Sequence, residues 1–206
     1  GEAYLYGRGT TDQQIADMGI VSWKPHANLD KHITGFGDGG CLLNGWVVHP
    51  FRSFRQETIG FEARNTVTKQ FVKLVLPGYE WSPLCLGNTP TMLQKLWNGA
   101  DLYIVEGVYD LTALSWAMGD SVILSTVTAR MSVSLARYLV RLCRGHIYMC
   151  YDNDVPGIKG ADKAIAVFSD LGWDRVSKIK YGLKDPGEVW NQGGASSVIR
   201  MFGGNL

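Results

Sequence analysis

Three things are scarce in this sequence: surplus charge of one sign, ligand-spaced cysteine and histidine, and long apolar runs. Lysine plus arginine number 20 against 19 for aspartate plus glutamate, a formal charge of +1. The chain as a whole supplies no field, so any nucleic-acid contact has to come from local clusters of basic residues. That balance speaks against a tight, passive DNA binder. The four cysteines, Cys41, Cys85, Cys143 and Cys150, are widely separated and make no metal-ligand spacing. Cys143 and Cys150 flank an expected strand and read as buried thiols, which fits a reduced, intracellular setting. His26 and His32 fall in a polar, glycine-rich stretch (residues 23–40), where solvated side chains are expected rather than a metal pair. No apolar run approaches the roughly 20 residues needed to span a bilayer, and no signal-peptide pattern opens the sequence. A cytoplasmic chain with no membrane partner is therefore expected.

What is present is 46% hydrophobic content in 206 residues, enough for one body of two subdomains. The stretch that organises the rest is Cys-Tyr-Asp-Asn-Asp-Val-Pro-Gly, residues 150–157. It follows an apolar-leaning run (residues 146–151) that reads as a buried parallel strand ending at Asp152. Ligands of open α/β sheets bind beyond the carboxyl ends of the strands, and acids spaced i, i+2 there, Asp152 and Asp154, can converge on one divalent cation. The alternative for the same residues is a solvated turn or a helix cap.

A second strand has the same form. Asp-Leu-Tyr-Ile-Val-Glu-Gly, residues 101–107, delivers Glu106 at its exit, and a helix follows from about Val108 to Met118, with Asp110 in its first turn where a negative charge suits the helix dipole. Two strand ends bringing acids to one sheet edge favour a metal site over two unrelated turns. Strands are expected at residues 102–105, 121–125, 147–151 and 176–181, and helices at 109–118, 133–142 and 160–171, the alternation of a parallel sheet with right-handed crossovers. In the helix at 133–142, Leu135, Leu139 and Leu142 form the apolar face, with Arg137, Arg141 and Arg144 outward.

Before residue 99 the pattern differs. Thr10 or Thr11 can cap a short helix, with Gln13 or Gln14 completing a capping box and Gly19 ending it. A hairpin follows: a strand over 46–51, a turn over 53–57 and a return strand over 58–63. Residues 71–76 form another strand, 77–90 read as loop, and 91–97 as a short helix. Arg52, Arg55, Arg64, Lys69 and Lys73 cluster along the hairpin and beyond, either as a solvated face or as a phosphate-holding surface. Tyr79 and Trp81 can stack on bases, though packing under the loop is the expected role.

These residues resemble a known family. Ile-Val-Glu-Gly-Val-Tyr-Asp (104–110) followed by Tyr-Asp-Asn-Asp-Val-Pro-Gly-Ile-Lys-Gly-Ala (151–161) is similar to the TOPRIM domain in its bacterial DnaG-type primase form. Residues 4–20 resemble the start of the primase polymerase core, where Leu-x-x-Arg-Gly precedes a helix. The hairpin is similar to the family's Pro-containing hairpin, with Pro50 and Arg64 at matching positions but Glu62 and Ala63 where that family has two glycines. Val127 stands at the family's glycine, and in Lys-Asp-Pro-Gly-Glu (184–188) Gly187 replaces a possible ligand, with Glu188 an uncertain substitute.

The resemblance, from Leu5 to Trp190, implies an α/β fold. A TOPRIM domain, a Rossmann-like parallel sheet with flanking helices, is preceded by a smaller α+β subdomain. The implied boundaries are 1–99, 100–182 and 183–206, the last a truncated or reduced C-terminal segment. No zinc-ribbon module precedes the match and little room follows it, as in a fragment or a version carried by a phage or mobile element. The implied activity is synthesis of short RNA primers on single-stranded DNA from ribonucleoside triphosphates. It would depend on Mg²⁺ or Mn²⁺, beside a replicative helicase, in a bacterial cell or phage-infected host. Glu106, Asp110, Asp152 and Asp154 are the implied catalytic residues; Glu106, Asp152, Asp154 and Asp185 the metal ligands; Arg64, Lys184, Arg52, Arg55, Lys69 and Lys73 the nucleotide and template contacts. Two other readings remain open at this point: a TOPRIM nuclease using nearly the same acids, and a non-catalytic module that binds single-stranded DNA.

Overall fold

The computed structural model describes residues 2–8, 10–17, 19–22, 46–52, 57–68, 70–79, 85–86, 92–119 and 121–202. The amino-terminal part begins with α1 (Glu2–Tyr6) and α2 (Asp12–Asp17). Thr11 and Gln14 make the expected capping box: the Gln14 N–H donates to Thr11 Oγ1 (3.3 Å) and the Thr11 N–H to Gln14 Oε1 (2.9 Å). Gly19, at φ +62°, turns the chain out of the helix. A four-stranded antiparallel sheet follows in the order β1 (Val21–Ser22), β2 (Val47–Arg52), β3 (Thr58–Arg64), β4 (Phe71–Val75). Pro50 is tolerated inside β2 because β1 pairs only with Val47 and Val48, which leaves β2 an edge at the proline. The expected hairpin is thus present, with its turn at 53–56 outside the described residues, as are the stretch at 23–45, Cys41 and Trp81. Register places His49, Glu62 and Lys73 in one row across β2, β3 and β4.

The second sheet has the order β5 (Cys85–Leu86), β7 (Val122–Ser125), β6 (Leu102–Val105), β8 (Ile147–Cys150), β9 (Val176–Lys178). Strands β6 to β9 are parallel, as expected; β5 adds an antiparallel edge within a stretch read from its prolines and glycines as loop. All of β6 and β7 is buried, which is why both read as continuous apolar runs.

Helices α3 (Met92–Trp97), α5 (Val133–Leu142) and α6 (Val155–Asp170) cover one face, around Leu102, Ile104, Leu139, Ile147 and Phe168. On the other face lie α4 (Val108–Ala117) and α7 (Pro186–Phe202), and Phe51 and Ile59 from the hairpin join Tyr103, Leu111, Leu114 and Phe202 there. The two sheets therefore share a core, and the hairpin is fixed relative to the parallel strand ends. Cys143 and Cys150 are free and buried.

One helix departs from expectation. The expected start of α6 at Gly160 is corrected to Val155, because Pro156 is compatible with a first helical turn and Asp154 caps it by accepting from the Gly157 N–H (2.9 Å). The carboxy-terminal stretch builds the long helix α7, broken at Gly193 and Gly194, whose Val189, Val198 and Phe202 are buried in the core.

Candidate active site

The acids converge because turns beyond different strands are tied together. Asn153, between Asp152 and Asp154, donates its N–H to the Lys184 carbonyl (2.6 Å) and its side-chain amide to the Tyr181 carbonyl (3.0 Å). The loop after β8 is thereby clasped to the loop after β9. Asp110 makes a second clasp: Oδ2 accepts from the Gly107 N–H (3.1 Å) and Oδ1 from the Gly187 N–H (2.9 Å), joining the starts of α4 and α7. Asp185 caps α7 by accepting from the Glu188 N–H (2.7 Å), while Glu188 accepts from the Lys184 N–H (2.8 Å). Gly187 fits because a Cβ there would meet Asp110 Oδ1 at 3.2 Å and Asp185 Oδ1 at 3.3 Å.

The result is a cleft of 430 Å³ with Glu106, Asp110, Asp152 and Asp185 along its acidic side. Their fields overlap. Glu106 is pushed up to about 7 by burial, then by Asp152 and Asp154; Asp110 rises to about 7 by burial, then by Asp185 and Asp152, against the pull of its two N–H donors. Asp152 is likewise raised, by burial and then by Asp185. Glu106 Oε2 is buried without a hydrogen-bond partner. Lys184 stands amid these acids, with Nζ 3.6 Å from Asp152 Oδ2 and 3.7 Å from Asp185 Oδ2. Among the described residues no three acid, histidine or cysteine side chains are already closed around a metal position. The acids line a cleft open to a ligand.

The opposite side is basic and comes from the amino-terminal sheet and the turn after α1: Arg8, Arg64 and Lys73. Tyr109 holds two of them, with the Arg8 guanidinium 4.7 Å and that of Arg64 4.6 Å from its ring centre. Lys73 donates to the Val127 carbonyl and so ties β4 to the loop after β7. Val127 keeps the left-handed backbone, at φ +62°, that the glycine of the resemblance would adopt freely. Its side chain is 1% exposed, so the conformation is held by packing. Beneath this wall Glu62 is 2% exposed, with its carboxylate oxygens 3.7 Å from Arg64 Nη2 and 3.7 Å from Lys73 Nζ. Burial raises its carboxyl while both cations pull it back.

Of the expected site residues, Glu106, Asp110, Asp152, Asp185, Arg64, Lys73 and Lys184 meet at this cleft. Asp154 contributes its field from the cap of α6. Arg52 is absent from the lining and lies beside Gly19, and Arg55 and Lys69 fall outside the described residues. Arg8, Glu62 and Tyr109 were missed as site residues. Arg8 had a signal, its place in Leu-x-x-Arg-Gly; Glu62 stood out only as the replacement of a family glycine, and Tyr109 only as part of the motif at 104–110.

Residues 103–190, which hold all four acids of the rim, match the family model described as Toprim-like. Nearly the whole chain also matches solved primase structures. The RNA polymerase domain of Mycobacterium tuberculosis primase DnaG aligns with a TM-score of 0.74 at 19% identity, over 98% of this chain and 74% of that one. A DnaG primase catalytic domain bound to single-stranded DNA gives 0.78 at 19%, over 98% and 70%. The primase fragment of the bacteriophage T7 primase-helicase protein gives 0.63 at 16%, over 96% and 72%. The comparison with curated proteins found no match. The chain thus contains a Toprim-like domain, and its fold is that of DnaG-type primase catalytic cores.

Proposed function

We propose that this chain is a DNA primase core that joins ribonucleotides on a single-stranded DNA template. The observation that carries the reading is one cleft with acids on one side and Arg8, Arg64 and Lys73 on the other. Joining two ribonucleotides sends a 3′ hydroxyl against an α-phosphate while pyrophosphate leaves, so negative charge builds on phosphoryl oxygens and a proton must depart. The basic side suits the triphosphate or the template phosphates. Glu106, with a buried, unpartnered oxygen, suits the departing proton where it is not itself holding an ion.

Mutually repelling carboxylates that no protein cation fully neutralises fit a divalent ion. Glu106, Asp152 and Asp185 would hold Mg²⁺ or Mn²⁺, with Asp110 fixing the turn behind them and Asp154 acting through its charge. Bound there, the ion would offset phosphoryl charge and favour the ionised hydroxyl. The domain division at 99 and 182, a cytoplasmic location and a replicative helicase partner belong to the same proposal. Support for the helicase is the fusion named in the T7 relative.

A nuclease would use the same rim, but the basic wall built by a separate amino-terminal sheet favours synthesis. Incubation with single-stranded DNA, Mn²⁺ and ribonucleoside triphosphates separates the readings. Labelled oligoribonucleotides support the primase, shortened DNA supports the nuclease, and metal-independent binding without either product supports a non-catalytic module.

A further inference from the structure

We infer that the outer face of α5 is a second contact surface for single-stranded DNA, a phosphate track leading away from the cleft. The inference deepens the primase reading, on which the identity of the strand rests. From Ser121 through Tyr151 the sequence has no aspartate or glutamate and carries Arg130, Arg137, Arg141 and Arg144, in a chain whose formal charge is only +1. The fold puts all four arginines on the surface: Leu135, Ala136 and Leu139 turn α5 inward, and the arginines are exposed. Arg137 and Arg141 are one turn apart, about 6 Å along the axis.

None of the four has a carboxylate within ion-pair range among the described residues. Arg144 is held 4.2 Å over the Trp97 ring, and its carbonyl accepts from Arg175 Nη1 (2.6 Å), which brings a further arginine alongside. On neighbouring α6, Lys159 and Lys163 are exposed, and Asp162 is taken by Lys178 (2.6 Å). Arg141, in the last turn of α5, also offsets the helix dipole. That explanation does not reach Arg130 or Arg137.

The track starts at the strand-end edge of the sheet on which the cleft is built. The loop at 126–132 leaves β7 at the same strand-end edge that carries Glu106 and Asp152, and Gly160 of α6 packs so closely on Ala129 that a Cβ there would lie 2.5 Å from its carbonyl. Arg130 therefore sits on a pinned loop at that edge, outside the lining of the cleft, and the others lead along the helical layer opposite the hairpin. Exposed arginines strung along a helix suit a phosphodiester backbone rather than a free anion.

Fluorescence anisotropy with labelled oligothymidylate, between about 50 and 200 mM salt, tests this. The double variant R137E/R141E is expected to bind about tenfold more weakly than wild type. Its log–log salt slope should fall by about 1.4, two contacts at roughly 0.7 each. Both positions are exposed, so its melting curve should match wild type; R137Q/R141Q, should the reversal disturb folding, must weaken binding in the same direction. Unchanged affinity and slope in a folded variant overturn the track and leave the stripe to an acidic protein partner. Failure of the wild type to bind the oligonucleotide overturns it too. Weakened binding in a protein that makes no primers sustains the track and removes the primase reading alone.

Discussion

Replacing Asp152 with asparagine should cost this protein most of its thermal response to a divalent cation while leaving the cation-free protein at least as stable. The first half follows from mass action. For an ion held with a dissociation constant near 1 mM, about 10 mM Mg²⁺ adds roughly 1.4 kcal/mol, or ~3–6 °C in a chain of this size. If losing one carboxylate weakens the site about tenfold, the gain falls to ~0.4 kcal/mol, about 1 °C. The second half follows from the sign of the Asp152 shift. Its carboxyl is raised by burial and by Asp185, so ionisation is less favourable in the folded chain than in the unfolded one. The compensating pair with Lys184 is 3.6 Å long to a side chain that is 60% exposed, worth no more than ~0.5 kcal/mol. Removing the charge therefore removes more repulsion than attraction. Melting curves in EDTA, MgCl₂ and MnCl₂ at constant ionic strength read both halves. Full retention of the Mg²⁺ gain by D152N, or no gain in wild type, refutes the metal site at this strand end.

The same gain should grow with pH. Glu106 and Asp110 titrate near 7 in the folded chain against 4.5 and 3.8 as ordinary carboxyls, so between about 4 and 7 the folded state holds protons that the unfolded state has lost. Without cation, their contribution to stability falls as pH rises through that window; the cation replaces the protons, so its effect at pH 8 should exceed that at pH 6, and a flat profile would discard the coupled acids. His49 acts with the opposite sign. Burial, then Arg64 and Arg8, push it down to about 3 from 6.5, so folding loses stability as pH falls below 6.5, by about 2 kcal/mol at pH 5, and H49Q should remove that loss in a urea series. Val127→Gly should relieve ~1–2 kcal/mol of backbone strain yet lose more in buried side chain, for a net destabilisation of about 2 kcal/mol; a stabilised variant would show that the valine packs poorly. Gly187→Asp should lower the melting temperature in EDTA by crowding Asp110 and Asp185, and Mn²⁺ should recover part of the loss; equal loss in both conditions would mean the new carboxylate does not reach the ion.

Much of the parallel sheet was legible because β6 and β7 are buried on both faces and α5 is amphipathic. The strand expected at 102–105 coincides with β6, and the helix expected at 133–142 with α5. Glu106 and Asp152 were legible because each follows an apolar run, and strand ends of one parallel sheet face one edge. The start of α6 was not, because Pro156 reads as a breaker unless the cap at Asp154 is known. Nor was the double role of Asp110, whose donors, Gly107 and Gly187, are far apart in sequence and meet only when α7 docks on α4. Glu62 was the hardest. In a strand of alternating pattern it counts as one more polar residue, and only the pairing of β3 with β4, together with the docking of that sheet on α4, turns it into a buried carboxylate between two cations.

That last arrangement bears on how the cleft keeps its two sides apart. Left to Coulomb attraction, the basic wall would close on the acidic rim and fill the space a ligand needs. Three contacts oppose this. Arg64 is drawn back onto the Tyr109 ring and toward Glu62, Arg8 is held over the same Tyr109 ring, and the Lys73 ammonium is taken up by Glu62 and the Val127 carbonyl. Among the described residues only Lys184, on the rim itself, forms ion pairs with the rim acids. The buried Glu62 thus lowers the pull of the wall on the rim without removing its charge, so that an incoming phosphate still meets Arg8, Arg64 and Lys73 as cations.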